Sequence, residues 1–520
     1  MKNIILKQFK IILLTAVFIF VTDCGKRDRN PDVLRFAMSA DIRGFDPAFA
    51  TDIRTGKMMT LVYDNLVQFG DNTEVIPGIA YKWNLDETGK IYTFYLEPSA
   101  AFHEGSKVTA GDVIFSFQRV LSPEIGSPQS WLFNKIDGAE AYMKGAETFV
   151  RGLTKINDST LVITLNEPFA PFIQYLAMPS ASIVNAKHED SIKEIPAGSG
   201  PWILDNWQRD AAISFRKNDN YWGRKPKTEQ LSFRILSESL SRMGEFEAGN
   251  LDIVDIPDIE LTRWKNQKHW DGSVVGKDEL NIWYIGMNCS RPPFNDRRLR
   301  LAMSLAIDRE KILSILLSES GTLAEGPVPP QLMQSLQNDP IPFDPEEAMR
   351  LLKSSGYEHG IQTELWVAGG SEMFHVLEAF QYYWSAVGIS VTIMRSDWNV
   401  FKTAVREGKP DLYYLDWFAD YPDGENFLYP LFHSKESMTK RNRYSNPAVD
   451  RNIETIQRLR NGKERNDLIK ETHRLIKDDA PWVFLWHGRT HTAVHPWIEG
   501  YKPKLIFNAE RYLEMHHMPL

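Results

Sequence analysis

The stretch DLYYLDWFADYPDGENF, residues 411–427, decides how the rest of the chain is read. Its apolar, aromatic run over residues 412–418 reads as a strand, and it ends in acids, a proline and a glycine. Asp420 stands just past that strand, close to Trp417 and Tyr421. A carboxylate in this position suits a primary ammonium: the acid supplies charge and the rings supply packing. The plainer alternative is that an acid after a strand forms a turn or caps a helix.

The chain has 520 residues, above the ~250–300 at which a single core stops growing, so two or more lobes are expected. With 43% hydrophobic and 25% charged residues it has an ordinary globular composition. The net charge of −8 excludes a nucleic-acid binder that relies on a basic face. The first residues read as an export signal. Lys2, Lys7 and Lys10 precede the apolar run IILLTAVFIFV at residues 11–21, which is too short to span a bilayer comfortably. Cys24 follows at once, preceded by Asp23, and residues 26–31 (KRDRNP) read as a polar tether. Cys289 has no Cys or His at metal-ligand spacing and reads as a small buried hydrophobe.

Along the chain, short strands at residues 33–38, 92–96, 161–165, 213–215 and 232–235 alternate with helical stretches. A helix is expected over 52–69, another from Thr109 as cap through residue 121, and further helices over 239–248, 296–305 and 309–317. Asp344 and Pro345 open one more, with Glu346 and Glu347 at the positive end of its dipole. Strands at 364–367 and 391–394 flank a helix at 374–386, a strand–helix–strand spacing that implies an α/β chain with mixed or parallel sheets between helices.

Several stretches in order resemble bacterial extracytoplasmic solute-binding proteins of family 5, the peptide-binding lipoproteins that feed ABC importers. They are residues 77–105 with Trp83, Asp86 and FHEG at 102–105; TAGDV at 109–113; GSGPW at 198–202 with Asn218, Tyr221 and Trp222; PPFND at 292–296 with Arg300 and AIDR at 306–309; DP at 344–345 running to Gly356 and Tyr357; and 417–423 followed by YSNP at 444–447. Most of these residues have structural readings as turns, helix faces or core.

The resemblance implies an α/β fold of two lobes with mixed sheets, two hinge crossings and an extra small domain. It places a signal peptide over 1–23 and a lipidated N-terminus and tether over 24–32. One lobe is expected from 33–72, 188–288 and 490–520, the small domain from 73–187 packed on it, and the second lobe from 289–489. It implies a binding protein that closes over its ligand, holding an extended peptide largely through the peptide backbone. Thr51, Asp52 and Ile53 would pair with the peptide from one lobe, and Asp416, Trp417 and Phe418 from the other. Asp420 would hold the terminal ammonium; Trp398, Trp417 and Phe115 would wall side-chain pockets; Trp486 and His487 would reach the cleft. Cys24 would carry the lipid. The implied partners are a short peptide with a free amino terminus, the permease subunits of an importer, and a membrane through the anchor, with no nucleic acid, no cofactor and no metal. A monomer, exported and held at the periplasmic or cell surface, is expected.

Departures from the resemblance limit the site. Tyr414 and Val405 stand where oligopeptide binders carry arginines, and residues 369–371 (GGS) stand where dipeptide binders carry a carboxylate-binding arginine. Recognition of the ligand's carboxyl end is therefore unassigned. Asp416, in place of a glycine, adds negative charge near Asp420 and favours cationic ligands. Two rivals stand beside the peptide reading. The same fold carrying a metal chelate, haem or oligosaccharide is one. A secreted hydrolase is the other, but the chain has no HExxH, GxSxG, P-loop or Cys/His cluster, and Gly198-Ser199-Gly200 reads as a turn.

Overall fold

The computed structural model of the protein describes residues 30–267, 273–318, 320–333, 339–369, 373–436 and 441–519. The expected signal peptide, Cys24 and most of the tether lie outside these residues, as do residues 370 and 371.

Three main sheets organise the chain. The strand Val33–Met38 pairs in parallel with Gln230–Ile235, which continues antiparallel to Ala212–Lys217 and then Trp202–Gln208. A separate antiparallel sheet joins Ala80–Leu85, Ile91–Leu96, Thr160–Thr164 and Leu153–Asn157. The third sheet has eight strands and centres on Asn281–Met287, between Leu412–Phe418 and the long strand Trp482–Val494. Its far end is the parallel pair Ile361–Ala368 and Ile389–Ser396, joined by the helix Phe374–Ala386. Mixed sheets flanked by helices match the expected α/β class. The two hinge crossings lie side by side, where residues 278–281 and 487–490 run between the Asn281–Met287 strand and the first lobe. There Glu279 N–H donates to the Gly488 carbonyl at 2.9 Å, and Gly488 N–H donates to Asn281 Oδ1 at 2.7 Å.

Asn281–Met287, within the stretch expected in the first lobe, hydrogen-bonds on both edges inside the third sheet. The helix expected over 52–69 stops early, at Val62. Residues 67–69 form a strand with Val75–Pro77 instead. The cause is tertiary. Gly200 N–H donates to the Val62 carbonyl at 2.8 Å, and buried Asp64 takes Arg511 at 2.7 Å and the Tyr221 hydroxyl at 3.1 Å. Local propensity would have continued the helix; these contacts hold its end open. Gly198 and Gly200 are required there, since a Cβ on Gly198 would run into the Val62 carbonyl oxygen and one on Gly200 would sit 2.6 Å from that of Leu61. Ser199 is fully buried and its Oγ accepts the Asp64 N–H at 3.3 Å, so this segment is a packing turn.

Helix starts follow the expected caps. Asp52, Asp296, Asp308 and Asp344 each accept a first-turn N–H, and Thr109 N–H donates to Asp112 at 2.8 Å. Arg300 is buried and donates to the carbonyls of Phe294, Asp479 and Ala480. Cys289 is half-buried, and burial pushes its thiol up to about 11.

Candidate ligand-binding cleft

The strand Leu412–Phe418 pairs along its whole length with Asn281–Met287 on one edge. On its other edge it pairs with Ile361–Ala368 only at Leu412 and Tyr413. From Tyr414 onward that edge has no strand partner among the described residues, so its backbone groups are open to an added strand. The chain then turns. Ala419 N–H donates to the Leu280 carbonyl at 2.8 Å, and Asp420 N–H donates to Asn426 Oδ1 at 3.1 Å. The same oxygen takes the Trp417 indole N–H at 3.2 Å, while Asn426 Nδ2 donates to Asp420 Oδ2 at 3.4 Å. One buried amide thus fixes both the acid and the ring. Asn426 sits in a short 3-10 turn, Gly424–Phe427, capped by Asp423, whose carboxylate is held by buried Arg465 at 2.9 Å.

Asp420 forms no ion pair among the described residues. Burial raises its carboxyl to about 6, against the opposing pull of the Asn426 bond and the charge of Arg441. It opens into a cavity of about 610 Å³ lined also by Thr51, Trp131, Phe169, Tyr175, Trp417, Tyr421 and Tyr429. The rings interlock: Trp131 meets Tyr175 edge-on at 5.1 Å, and Tyr175 meets Tyr421 at 4.8 Å with hydroxyls 3.3 Å apart. Trp131 Nε1 donates to Gln129 Oε1, and Gln129 Nε2 donates to the Ala50 carbonyl, which ties this wall to the segment carrying Thr51. Arg441 lies over the Trp417 face at 5.0 Å. Residues 170–174 touch residues 423–457 across the cavity, where Gln174 donates to Asp423 at 2.9 Å and Ala170 N–H donates to the Gln457 carbonyl at 2.7 Å. An aromatic box lined also by two acids, Asp420 and Glu436, and by Lys135, beside one open strand edge, can bind an extended, amine-bearing chain.

The model for bacterial extracellular solute-binding proteins, family 5 middle, matches residues 74–439. The chain belongs to this family. Among its relatives, haem-binding protein A of Haemophilus influenzae is 28% identical over 487 residues, covering 88% of this chain and 87% of the relative. The dipeptide-binding protein of Escherichia coli is 28% identical over 490 residues, covering 88% and 90%. The structure of the periplasmic binding protein DppA from Helicobacter pylori, in complex with the peptide STSA, superposes with a TM-score of 0.78 at 25% identity, covering 94% of this chain and 98% of that one.

Of the residues that family resemblance had singled out, Thr51, Trp417 and Asp420 line the cavity together. Asp416 and Phe418 lie on the open-edged strand, half-buried and outside the cavity wall. The Asp416 carboxyl is raised by burial first and then by Glu279. Asp52 is engaged as a cap, accepting both the N–H and the hydroxyl of Thr55, and Ile53 is exposed at the helix start.

Four placements differ from expectation. Trp398 opens the helix Trp398–Glu407, is 51% exposed and packs on Phe401, away from the cavity. Phe115 packs against the first-lobe core. Trp486 is buried in the second-lobe core near Phe380, because a bulge opposite Trp283 and Tyr284 turns it and Leu485 toward the same core. His487 is buried at the hinge, its Nδ1 2.6 Å from the Asn281 carbonyl oxygen, and burial lowers its pKa to about 4.

Sequence reading missed Asn426, Trp131, Phe169, Tyr175 and Tyr429. Asn426 lay inside the quoted stretch, six residues past Asp420. The rings of the 131–175 region carry no local signal: Trp131 lies in the 3-10 turn Ser130–Phe133, Phe169 in the loop after the Thr160–Thr164 strand, and Tyr175 at the end of the short helix Phe172–Tyr175.

Proposed function

We propose that this chain is the substrate-binding component of an ABC importer, capturing short peptides in the cleft between its lobes and delivering them to a membrane permease. The observation that carries this is the Asp420 carboxyl: half-buried, in no ion pair among the described residues, and opening into a ring-walled cavity beside a strand edge unpaired among those residues. The peptide's α-ammonium pairs with Asp420, its backbone adds to the 416–418 edge and to the 51–53 segment, and its first side chain enters the aromatic box. Binding, without catalysis and without a cofactor, is the whole activity. The protein acts as an exported monomer anchored through a lipid on Cys24.

A buried pair that loses one partner costs ~2–5 kcal/mol. Asp420→Asn therefore weakens a free-amine peptide roughly 30-fold or more and an N-acetylated peptide far less, measured by calorimetry. Equal affinity of the variant and the wild type for both peptides would sink the assignment. Replacing Cys24 with Ser moves the protein from the membrane to the soluble fraction; unchanged fractionation would refute the anchor.

Haem is the second reading, favoured by the Haemophilus influenzae relative. Against it, the described residues lining the cavity include no His, Met or Cys, so a tyrosine would have to hold the iron. A saturable shift of the Soret band on titration with haem, with no binding of peptide by calorimetry, would favour it.

A further inference from the structure

We propose that a second cavity on the first lobe, walled by Arg54 and Arg242, receives the carboxylate end of the bound peptide. The proposal rests on the reading that a peptide binds with its ammonium at Asp420. The cavity measures about 230 Å³ and lies where the end of the Val33–Met38 strand meets the first turn of the Ile53–Val62 helix. Phe36 and Phe233 stack at 4.8 Å along it, with Tyr512 at 4.7 Å from Phe36.

Its cations are incompletely engaged. Arg54 Nη1 donates to Ser39 Oγ at 3.3 Å. The nearest acid to Arg54, Asp52 at 3.9 Å, already accepts two bonds from Thr55. Arg242 Nη1 donates to the carbonyls of Leu236 and Ser237, and no carboxylate among the described residues pairs with it. Lys57 has its own acid, Glu510, at 3.8 Å, and Asp255 accepts the Thr492 hydroxyl. Two guanidiniums beside an apolar ring face suit a carboxylate carrying an apolar side chain.

The two cavities lie on either side of one short segment. Thr51 lines the cavity that holds Asp420, and Arg54 lines the second. Three residues of extended chain reach at most ~10 Å. A peptide with its ammonium at Asp420 and its backbone passing Thr51 runs toward Arg54. The ligand class is therefore a short peptide with both termini free and an apolar last residue. This supplies the carboxyl-end recognition left open by Tyr414, Val405 and the 369–371 segment.

The test is calorimetry with Ala-Ala-Phe as the free acid, as its C-terminal amide and as its N-acetyl derivative. The proteins compared are the wild type, Arg54→Gln with Arg242→Gln, and Asp420→Asn. A charge-assisted bond to a carboxylate predicts that the wild type prefers the acid to the amide by roughly tenfold or more. The double variant loses that preference while binding the amide as the wild type does. Asp420→Asn keeps the acid-over-amide preference and loses the free-over-acetylated one. Equal wild-type affinity for acid and amide overturns the carboxylate site and leaves the Asp420 reading standing, as does a preference that survives in the double variant. A wild type that binds none of the three overturns the peptide reading, and the site with it. The acid–amide comparison needs no variant, so it decides even if the double variant does not fold.

Discussion

Asp420 is a carboxyl kept ready in a place that disfavours its charge. Burial lifts it to about 6, and the Asn426 amide and Arg441 hold it from rising further. The ionised form is the one that attracts an ammonium, so ligand binding must draw the bound pKa down. Above pH 6 the carboxylate is already formed. Below it a proton has to be displaced, and affinity for a free-amine peptide falls by up to about tenfold for each further pH unit. The empty protein shows the opposite sign: a carboxyl raised in the folded state contributes stability at low pH that is lost as pH rises through about 6. Calorimetry from pH 5 to pH 8 checks this; an N-acetylated peptide loses no affinity over that range, and a free-amine peptide with a flat profile would contradict the assignment. Asn426 matters at this scale too, because one amide oxygen takes both the Asp420 N–H and the Trp417 indole. Local sequence made Asp420 and Trp417 legible, since a strand that runs into acids, proline and glycine needs no distant information. It could not show that Asn426 would turn back onto them.

At the scale of elements, the strand Leu412–Phe418 is bonded on one side and open on the other for most of its length. A peptide that adds to this edge uses its own backbone N–H groups. Methylating the nitrogen of the second peptide residue removes a donor, and affinity falls by roughly tenfold through a lost bond and an unpaired acceptor; full affinity of the methylated peptide in a competition assay would rule out strand addition. The end of the Ile53–Val62 helix is a second element that distant contacts decide. Gly198→Ala drives a methyl into the Val62 carbonyl, and overpacking of this kind costs about 1–3 kcal/mol. Urea unfolding reads the loss, and an unchanged midpoint would mean that the close approach does not constrain this turn. Caps, strand alternation and the helix Phe374–Ala386 were legible because they depend on neighbours in sequence. The stop at Val62 was not, because it depends on residues near 200 and on Arg511.

At the scale of the molecule, residues 170–175 meet residues 421–457 across the cavity through Tyr175 and Tyr421, Gln174 and Asp423, and the Ala170–Gln457 backbone bond. The lobes join through two neighbouring hinge segments. A ligand that touches both lobes stabilises the arrangement in which they meet. Saturating peptide therefore lowers the radius of gyration in solution scattering and raises the melting temperature by mass action. The Trp417 indole, which lies on the cavity wall, reports binding by fluorescence. Tight binding with scattering and fluorescence both unchanged would place the ligand outside the cleft.

The order of strands and helices, the caps and the acid at the end of an aromatic strand are local properties, so the linear chain determined the α/β class and pointed to Asp420 and Trp417. Which rings enclose that acid was decided only in three dimensions. Trp131 lies in a 3-10 turn, Phe169 in a loop and Tyr175 at the end of a short helix, and they line the same cavity as the acid. The same holds in reverse for Trp398, Phe115 and Trp486. The family resemblance implied cleft positions for them, but an exposed helix start, a first-lobe core and a β-bulge place them elsewhere. A pocket wall is a set of residues distant in sequence, and no local pattern records which face of each element the final packing turns inward.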